Sequence, residues 1–296
     1  MPELHPRYTG LRRLFGAAGL ARLRQARVCV VGIGGVGSWT VEALARSGVG
    51  ALTLVDLDEV CASNVNRQIH ALDNTVGRAK VALMAERCAA INPDCRVTAV
   101  QEFFTADNGA RLLAAFAAGA VPGLAWVVDA MDDVTNKCHL LALCRGQGLP
   151  VVCCGGAGGR SNALAVRMAD LADVSHDRLL GEVRRRLRRD HGFPPEHERS
   201  GVPCVYSTER PVFPRPDGTV CLERDLSEGA RLNCDWGMGS ATFVTGTFGF
   251  LAAGWVVREV TESPKSEIRN PKEIRNPKSE VRSQTAPPPS RAADAL

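Results

Sequence analysis

The chain has 296 residues, 45% of them hydrophobic and 23% charged, which is enough apolar material for one large core, or a core plus a small appendage, and suits a globular enzyme. The formal net charge of +4 is too mild to name a partner, so any nucleic-acid binding has to be argued from local clusters. The eleven cysteines, an odd number scattered through apolar runs, are not spaced as a disulfide framework and read mostly as small buried hydrophobes; with no C-x-x-C pair, no structural zinc is expected.

Residues 1–26 read as an N-terminal arm and helix, without the apolar core of a cleaved leader, which favours a cytoplasmic site. From residue 27 to 160, short β-branched runs at 28–31, 51–55, 96–100, 126–130 and 151–153 alternate with helix-length segments at 38–47, 77–91, 106–117 and 136–147. That alternation predicts an α/β fold: a Rossmann-like, doubly wound, mainly parallel sheet with its ligand at the carboxyl ends of the strands. After the glycine-rich turn 155–159 a second region, 161–262, begins. It is read as a strand at 162–168, a helix at 175–191 carrying six arginines, and a long proline-rich loop at 192–216. Residues 236–257 hold no charged side chain, but their glycines and threonines suit a buried helix or subunit contact better than a membrane span. The tail, 263–296, degenerates into a short Ile-Arg-Asn-Pro-Lys repeat and is expected to be disordered.

The first β-run leads into Gly32, Gly34, Gly35 and Gly37, a G-x-G-x-x-G pattern placed where backbone N–H groups and a helix N-terminus can hold phosphate. Asp56, ending the second run, is placed to meet a ribose, with Asp58 close behind; to this point NAD and ATP fit equally. The next segment separates them. Ser63, Asn64 and Arg67, followed by Lys80 at a helix start, offer fixed cations, which a triphosphate losing pyrophosphate needs and a dinucleotide does not. Asp132 and Asp133 follow the fourth run; Asp132 is the expected magnesium ligand, while Asp129 could equally cap a strand end. Arg67, Lys80 and Asp132 form the expected catalytic set.

G-x-G-G-x-G, D-x-D at 56–58, S-N-x-x-R at 63–67, the helix lysine, I-N-P at 91–93 and D-x-x-D at 129–132 together resemble the MoeB/ThiF/HesA group, relatives of ubiquitin-activating enzymes that adenylate carboxylates. Within it, NRQIHAL at 66–72, GGAGG at 155–159, CVYSTE at 204–209 and ATFVTGTFGF at 241–250 resemble the tRNA threonylcarbamoyladenosine dehydratases. The resemblance implies ATP- and magnesium-dependent adenylation of the threonine carboxylate of N6-threonylcarbamoyladenosine in tRNA, followed by ring closure and loss of AMP. It also implies a homodimer in which Arg13 reaches the neighbouring subunit's phosphates. It gives Arg184, Arg185 and Arg188 a reason to meet tRNA, where a solvated basic face is the plain alternative. Three other functions stay open: activation of a ubiquitin-like sulfur-carrier protein, an NAD-dependent oxidoreductase, and a non-catalytic tRNA- or partner-binding protein that retains a nucleotide site. Cys234 offers a thioester cysteine, but a packed cysteine ahead of the apolar segment is at least as good a reading, and it stays outside the expected catalytic set.

Overall fold

The computed structural model describes residues 5–121, 123–196, 198–215, 217–223 and 238–262. The β-branched runs form five parallel strands: β1 (Arg27–Val31), β2 (Ala51–Val55), β3 (Arg96–Val100), β4 (Ala125–Asp129) and β5 (Val151–Cys154). Helices α2 (Gly37–Arg46), α3 (Lys80–Ile91), α4 (Ala106–Ala117) and α5 (Val134–Gly146) connect them. α1 (Thr9–Gln25) precedes β1 and breaks at Gly16, whose φ of 73° suits glycine alone. Then come β6 (Val166–Asp170), α6 (Arg178–Asp190), β7 (Pro203–Ser207), the small hairpin of β8 (Phe213–Pro214) and β9 (Val220–Cys221), and α7 (Thr242–Thr261). The main sheet has seven strands ordered β3-β2-β1-β4-β5-β7-β6, with only β6 antiparallel to its neighbour.

Alternation along each strand divides the core in two. Val28, Val30, Leu52, Leu54, Val128 and Val152 face one side, where Leu23, Leu44, Met84 and Phe248 of α1, α2, α3 and α7 cover them. Cys29, Val31, Val127, Cys153 and Cys204 face the other, under Leu113, Leu140 and Val183 of α4, α5 and α6. The chain therefore changes face between β3 and β4. β1 and β4, neighbours in the sheet, lead into helices on opposite sides, and a crevice opens beyond their carboxyl ends.

α7 lies hard against α2. A methyl group on Gly249 would sit 2.7 Å from the carbonyl oxygen of Val36 and 2.8 Å from Cβ of Trp39. No helix among the described residues is long and apolar enough to cross a membrane. Trp236, Gly237, Cys234 and the repeat tail lie outside the described residues.

Three expectations of the sequence are corrected. The expected loop 192–216 contains β7, an interior strand: Cys204-Val205-Tyr206 is a short buried run entered through Pro203, and a proline is tolerated at a strand's first residue. The expected strand at 162–168 begins later, at Val166, because the Asn162 side chain accepts from the Leu164 N–H and winds Ala163–Ala165 into a 3-10 turn. The helix expected from residue 77 starts at Lys80; Gly77, at φ 82°, and Arg78 instead pair with Val60. The sheet also runs across residue 160, since β6 and β7 extend the strands of the first region.

Candidate functional site

The turn after β1 is shaped by contacts that only glycine allows. Gly32 has φ 89°, and a Cβ there would lie 2.8 Å from the carbonyl oxygen of Ala130 at the end of β4; one on Gly37 would collide with the Gly32 carbonyl. The turn thus folds tightly between β1 and β4 and delivers the N-terminus of α2 into the crevice.

Asp56, at the end of β2, braces this turn. Its Oδ2 accepts the Ile33 N–H at 2.6 Å and its Oδ1 accepts the Asp58 N–H at 2.8 Å. Burial raises its pKa, and the two backbone N–H donors and Lys80 pull the other way. The Lys80 ammonium, itself buried, lies 2.8 Å from Asp58 Oδ2, and the Lys80 N–H donates to the Asp58 carbonyl. The pairing of residues 58–60 with 77–80 therefore fixes the lysine at the first turn of α3, pointed at the Asp56–Asp58 turn.

Arg67 is brought to the glycine turn by its own stem, whose Cγ and Cδ come within 3.4 Å of the Cβ position of Gly35. Its Nη1 donates to the Ser63 carbonyl at 2.8 Å and to Asn66 Oδ1 at 3.0 Å, while its carbonyl accepts from Trp39 Nε1 of α2. Asn64 is buried and structural: its Oδ1 accepts the Cys61 N–H. Ser63 is exposed and serves through its carbonyl.

Asp132 is exposed beyond β4 and has no ion pair with any described residue. Its neighbour Asp133 instead caps α5, accepting the Asn136 N–H at 2.8 Å. Beneath them lies a pair the sequence reading passed over. Asp129 Oδ1 is 3.0 Å from Lys137 Nζ, both side chains wholly buried, and Cys153 Sγ donates to Asp129 Oδ2. Burial alone would push the ammonium's pKa down; Asp129 more than reverses this and keeps Lys137 charged. The signal was present: Lys137 shares a helix face with buried Leu141 and Cys144, where a cation demands a partner. Because Asp129 Oδ1 also accepts the Met131 N–H, the pair shapes the turn that carries Asp132.

The structure thus joins Gly32, Gly34, Gly35, Gly37, Asp56, Asp58, Asn64, Arg67 and Lys80 in one set of contacts, with Asp132 and Asp133 across the β1/β4 crevice. Arg13 is exposed on α1, and no hydrogen bond or ion pair links it to these residues among those described. Arg184, Arg185, Arg188 and Arg189 of α6 line a separate groove with Glu196. There Arg184 is spent on the carbonyls of Leu171, Ala172 and Val174, Arg188 bonds the Pro194 carbonyl, and Arg185 pairs with Glu182.

Residues 8–294 match the model of the ThiF family. The chain belongs to the ThiF family. Among curated ThiF-type relatives, a tRNA threonylcarbamoyladenosine dehydratase of Escherichia coli (strain K12) is 46% identical over 256 residues, which is 86% of this chain and 93% of that one. One of Bacillus subtilis (strain 168) is 36% identical, over 83% of this chain and 91% of that one. Among solved structures, the E. coli tRNA N6-threonylcarbamoyladenosine dehydratase in complex with ATP superposes with a TM-score of 0.72 at 42% identity, over 86% of this chain and 93% of that chain.

Proposed function

We infer that this chain is an ATP-dependent dehydratase that cyclises N6-threonylcarbamoyladenosine in tRNA through a carboxyl-adenylate. The observation that carries the reading is the pair of cations at the carboxyl edge of the sheet: Arg67, whose stem lies on the glycine turn, and Lys80, held on the Asp56–Asp58 turn that braces it. A dinucleotide would leave them without a task; departing pyrophosphate calls for them. The length over which the chain follows the dehydratases supports the same substrate.

In this reading the threonine carboxylate attacks the α-phosphorus of ATP and displaces pyrophosphate. Arg67 and Lys80 offset the charge that develops, and Lys80, shared with Asp58, is oriented before substrate arrives. The carbamoyl oxygen then attacks the acyl carbon; the carbamoyl nitrogen loses a proton and AMP leaves. Asp56 and Asp58 lie where a ribose would be held. Magnesium fits the residues present: no group of three or more His, Cys, Asp or Glu side chains among the described residues would cage a metal, whereas exposed Asp132 offers the single carboxylate that magnesium combines with phosphate oxygens and water. When bound it would neutralise phosphate charge.

The homodimer belongs to the same proposal. The outer face of α7 leaves Phe243 and Phe250 exposed, and α1, which packs on α7, exposes Leu14 beside Arg13. Arg185 and Arg188 on α6 are the proposed tRNA contacts, with Arg184 holding the helix to the 171–174 segment. A tRNA substrate puts the enzyme in the cytoplasm.

The test is to incubate the full chain with ATP, magnesium and tRNA bearing threonylcarbamoyladenosine, then weigh the nucleoside. Loss of one water that needs ATP and falls by about a hundredfold or more in Arg67→Ala is expected. An unchanged nucleoside, with pyrophosphate exchange driven instead by a sulfur-carrier protein, would sink the tRNA assignment.

A further inference from the structure

Arg160 closes the glycine-rich turn after β5, and it is only 5% exposed. Its Nε donates to the Glu209 carbonyl at 3.2 Å, and its Nη2 donates to the His176 carbonyl at 3.1 Å and lies 3.4 Å from Asp177 Oδ2. Asp177, equally buried, accepts the Gly156 N–H on that same oxygen at 3.0 Å and uses its other oxygen to cap α6 at Leu180. The carbonyl that Arg160 holds belongs to His176, whose φ of 58° makes it the sole non-glycine residue with positive φ among those described.

This cluster is more than a helix cap. An asparagine or serine would cap α6 as well, but with a single acceptor oxygen it would release the Gly156 N–H and Arg160, so the second carboxylate oxygen is what ties the 155–159 turn to Arg160. A buried charge pair is a costly way to gain stability, and one of its attested uses is to select a single geometry. The geometry selected here is that of the turn at 155–159. A Cβ on Gly155 would strike the Asp177 carboxylate, and one on Gly159 would come within 2.6 Å of the Val212 carbonyl. The Gly159 N–H donates to the Gly239 carbonyl, and the next carbonyl, that of Ser240, accepts from Asn66 beside Arg67. A continuous line of contacts thus runs from Arg160 to the cation proposed for ATP.

The turn leaves the carboxyl end of β5, which neighbours β4; the nucleotide crevice lies on the other side of β4, toward β1. With ATP in that crevice, the 155–159 backbone is the next wall along the edge where ligands bind. We propose that Arg160 is a positioning residue for the acceptor side of the site: with Asp177 it fixes the 155–159 turn as the wall that sets the tRNA nucleoside's carboxylate against ATP. This rests on the dehydratase reading.

The test uses the full-length enzyme and its Arg160→Ala, Arg160→Lys and Asp177→Asn forms. Arg160→Ala is expected to lose about tenfold to a hundredfold in kcat/KM for the modified tRNA, the scale on which misplacement of a reactant is felt, with its Kd for ATP alone unchanged. Arg160→Lys recovers part of the loss, and Arg160→Ala combined with Asp177→Asn is no worse than the more damaging single change. An unchanged kcat/KM, or tRNA and ATP parameters falling together with Tm, overturns the proposal. If the wild-type enzyme leaves the modified tRNA untouched, the dehydratase reading fails by itself, and amide exchange of residues 155–162 judges whether Arg160 fixes the turn: faster exchange in Arg160→Ala at equal Tm supports it, equal exchange overturns it.

Discussion

Buried beside Lys80 and Arg87 of α3, His70 is 4% exposed, and neither ring nitrogen has a partner among the described residues. Burial first, then those two cations, lowers its pKa to about 4. In the unfolded chain the same imidazole takes a proton near pH 6.5. Between those values the unfolded state binds more protons, so stability rises with pH; it is complete above about 6.5 and is eroded as pH falls toward about 4, by roughly 3 kcal/mol in all. His70→Gln should therefore flatten the pH dependence of unfolding free energy across that window, measured by denaturant titration. Equal slopes in the two proteins would show that His70 titrates as it does in water.

At the scale of elements, the site depends on how α7 seats α2, because α2 begins at the glycine turn. Gly249→Ala would force a methyl into the Val36 carbonyl and the Trp39 side chain, so a loss of about 1–3 kcal/mol is expected together with weaker ATP binding. Gly181→Ala in α6, where nothing lies within 4 Å of the new methyl, should instead add up to about 1 kcal/mol and leave ATP binding alone. Equal effects of the two changes in thermal melts would contradict this packing. The same elements mark how far the sequence could be read. β1, β2, β4 and β5 were legible because buried parallel strands are nearly continuous apolar runs, and the exposed edge strand β3 because Val97 and Val100 recur at the same spacing from the helices around it. β7 was not, since its three apolar residues sit between prolines and polar residues that read as loop, and only the gap between β5 and β6 makes them a strand. The glycine turn, Asp56, Arg67 and Lys80 were legible as residue types at a spacing. What was missed is what tertiary pairing alone defines: Asp56 as a brace and Arg160 meeting Asp177 across β6, with no periodicity to announce it; Asp133 as a cap was a local signal, three residues before Asn136.

On the scale of the molecule, one sheet edge gathers contributions from most of the chain: the glycine turn from β1, carboxylates from β2 and β4, cations from the segment between β2 and α3, and the Arg160 turn from β5. The second region continues the sheet, and in the proposal above the turn that leads into it walls the acceptor side of the crevice. The basic helix α6 and the exposed Phe243 and Phe250 of α7 are the surfaces proposed for RNA and for a second copy. The central claim is that this edge joins a carboxylate to the α-phosphorus of ATP and lets AMP leave with the carboxylate's oxygen. It is tested most directly by labelling the threonine carboxylate of the modified tRNA with oxygen-18 and weighing the products. One labelled oxygen in AMP and none in pyrophosphate is expected; label in inorganic phosphate, or AMP without label, would contradict this mechanism.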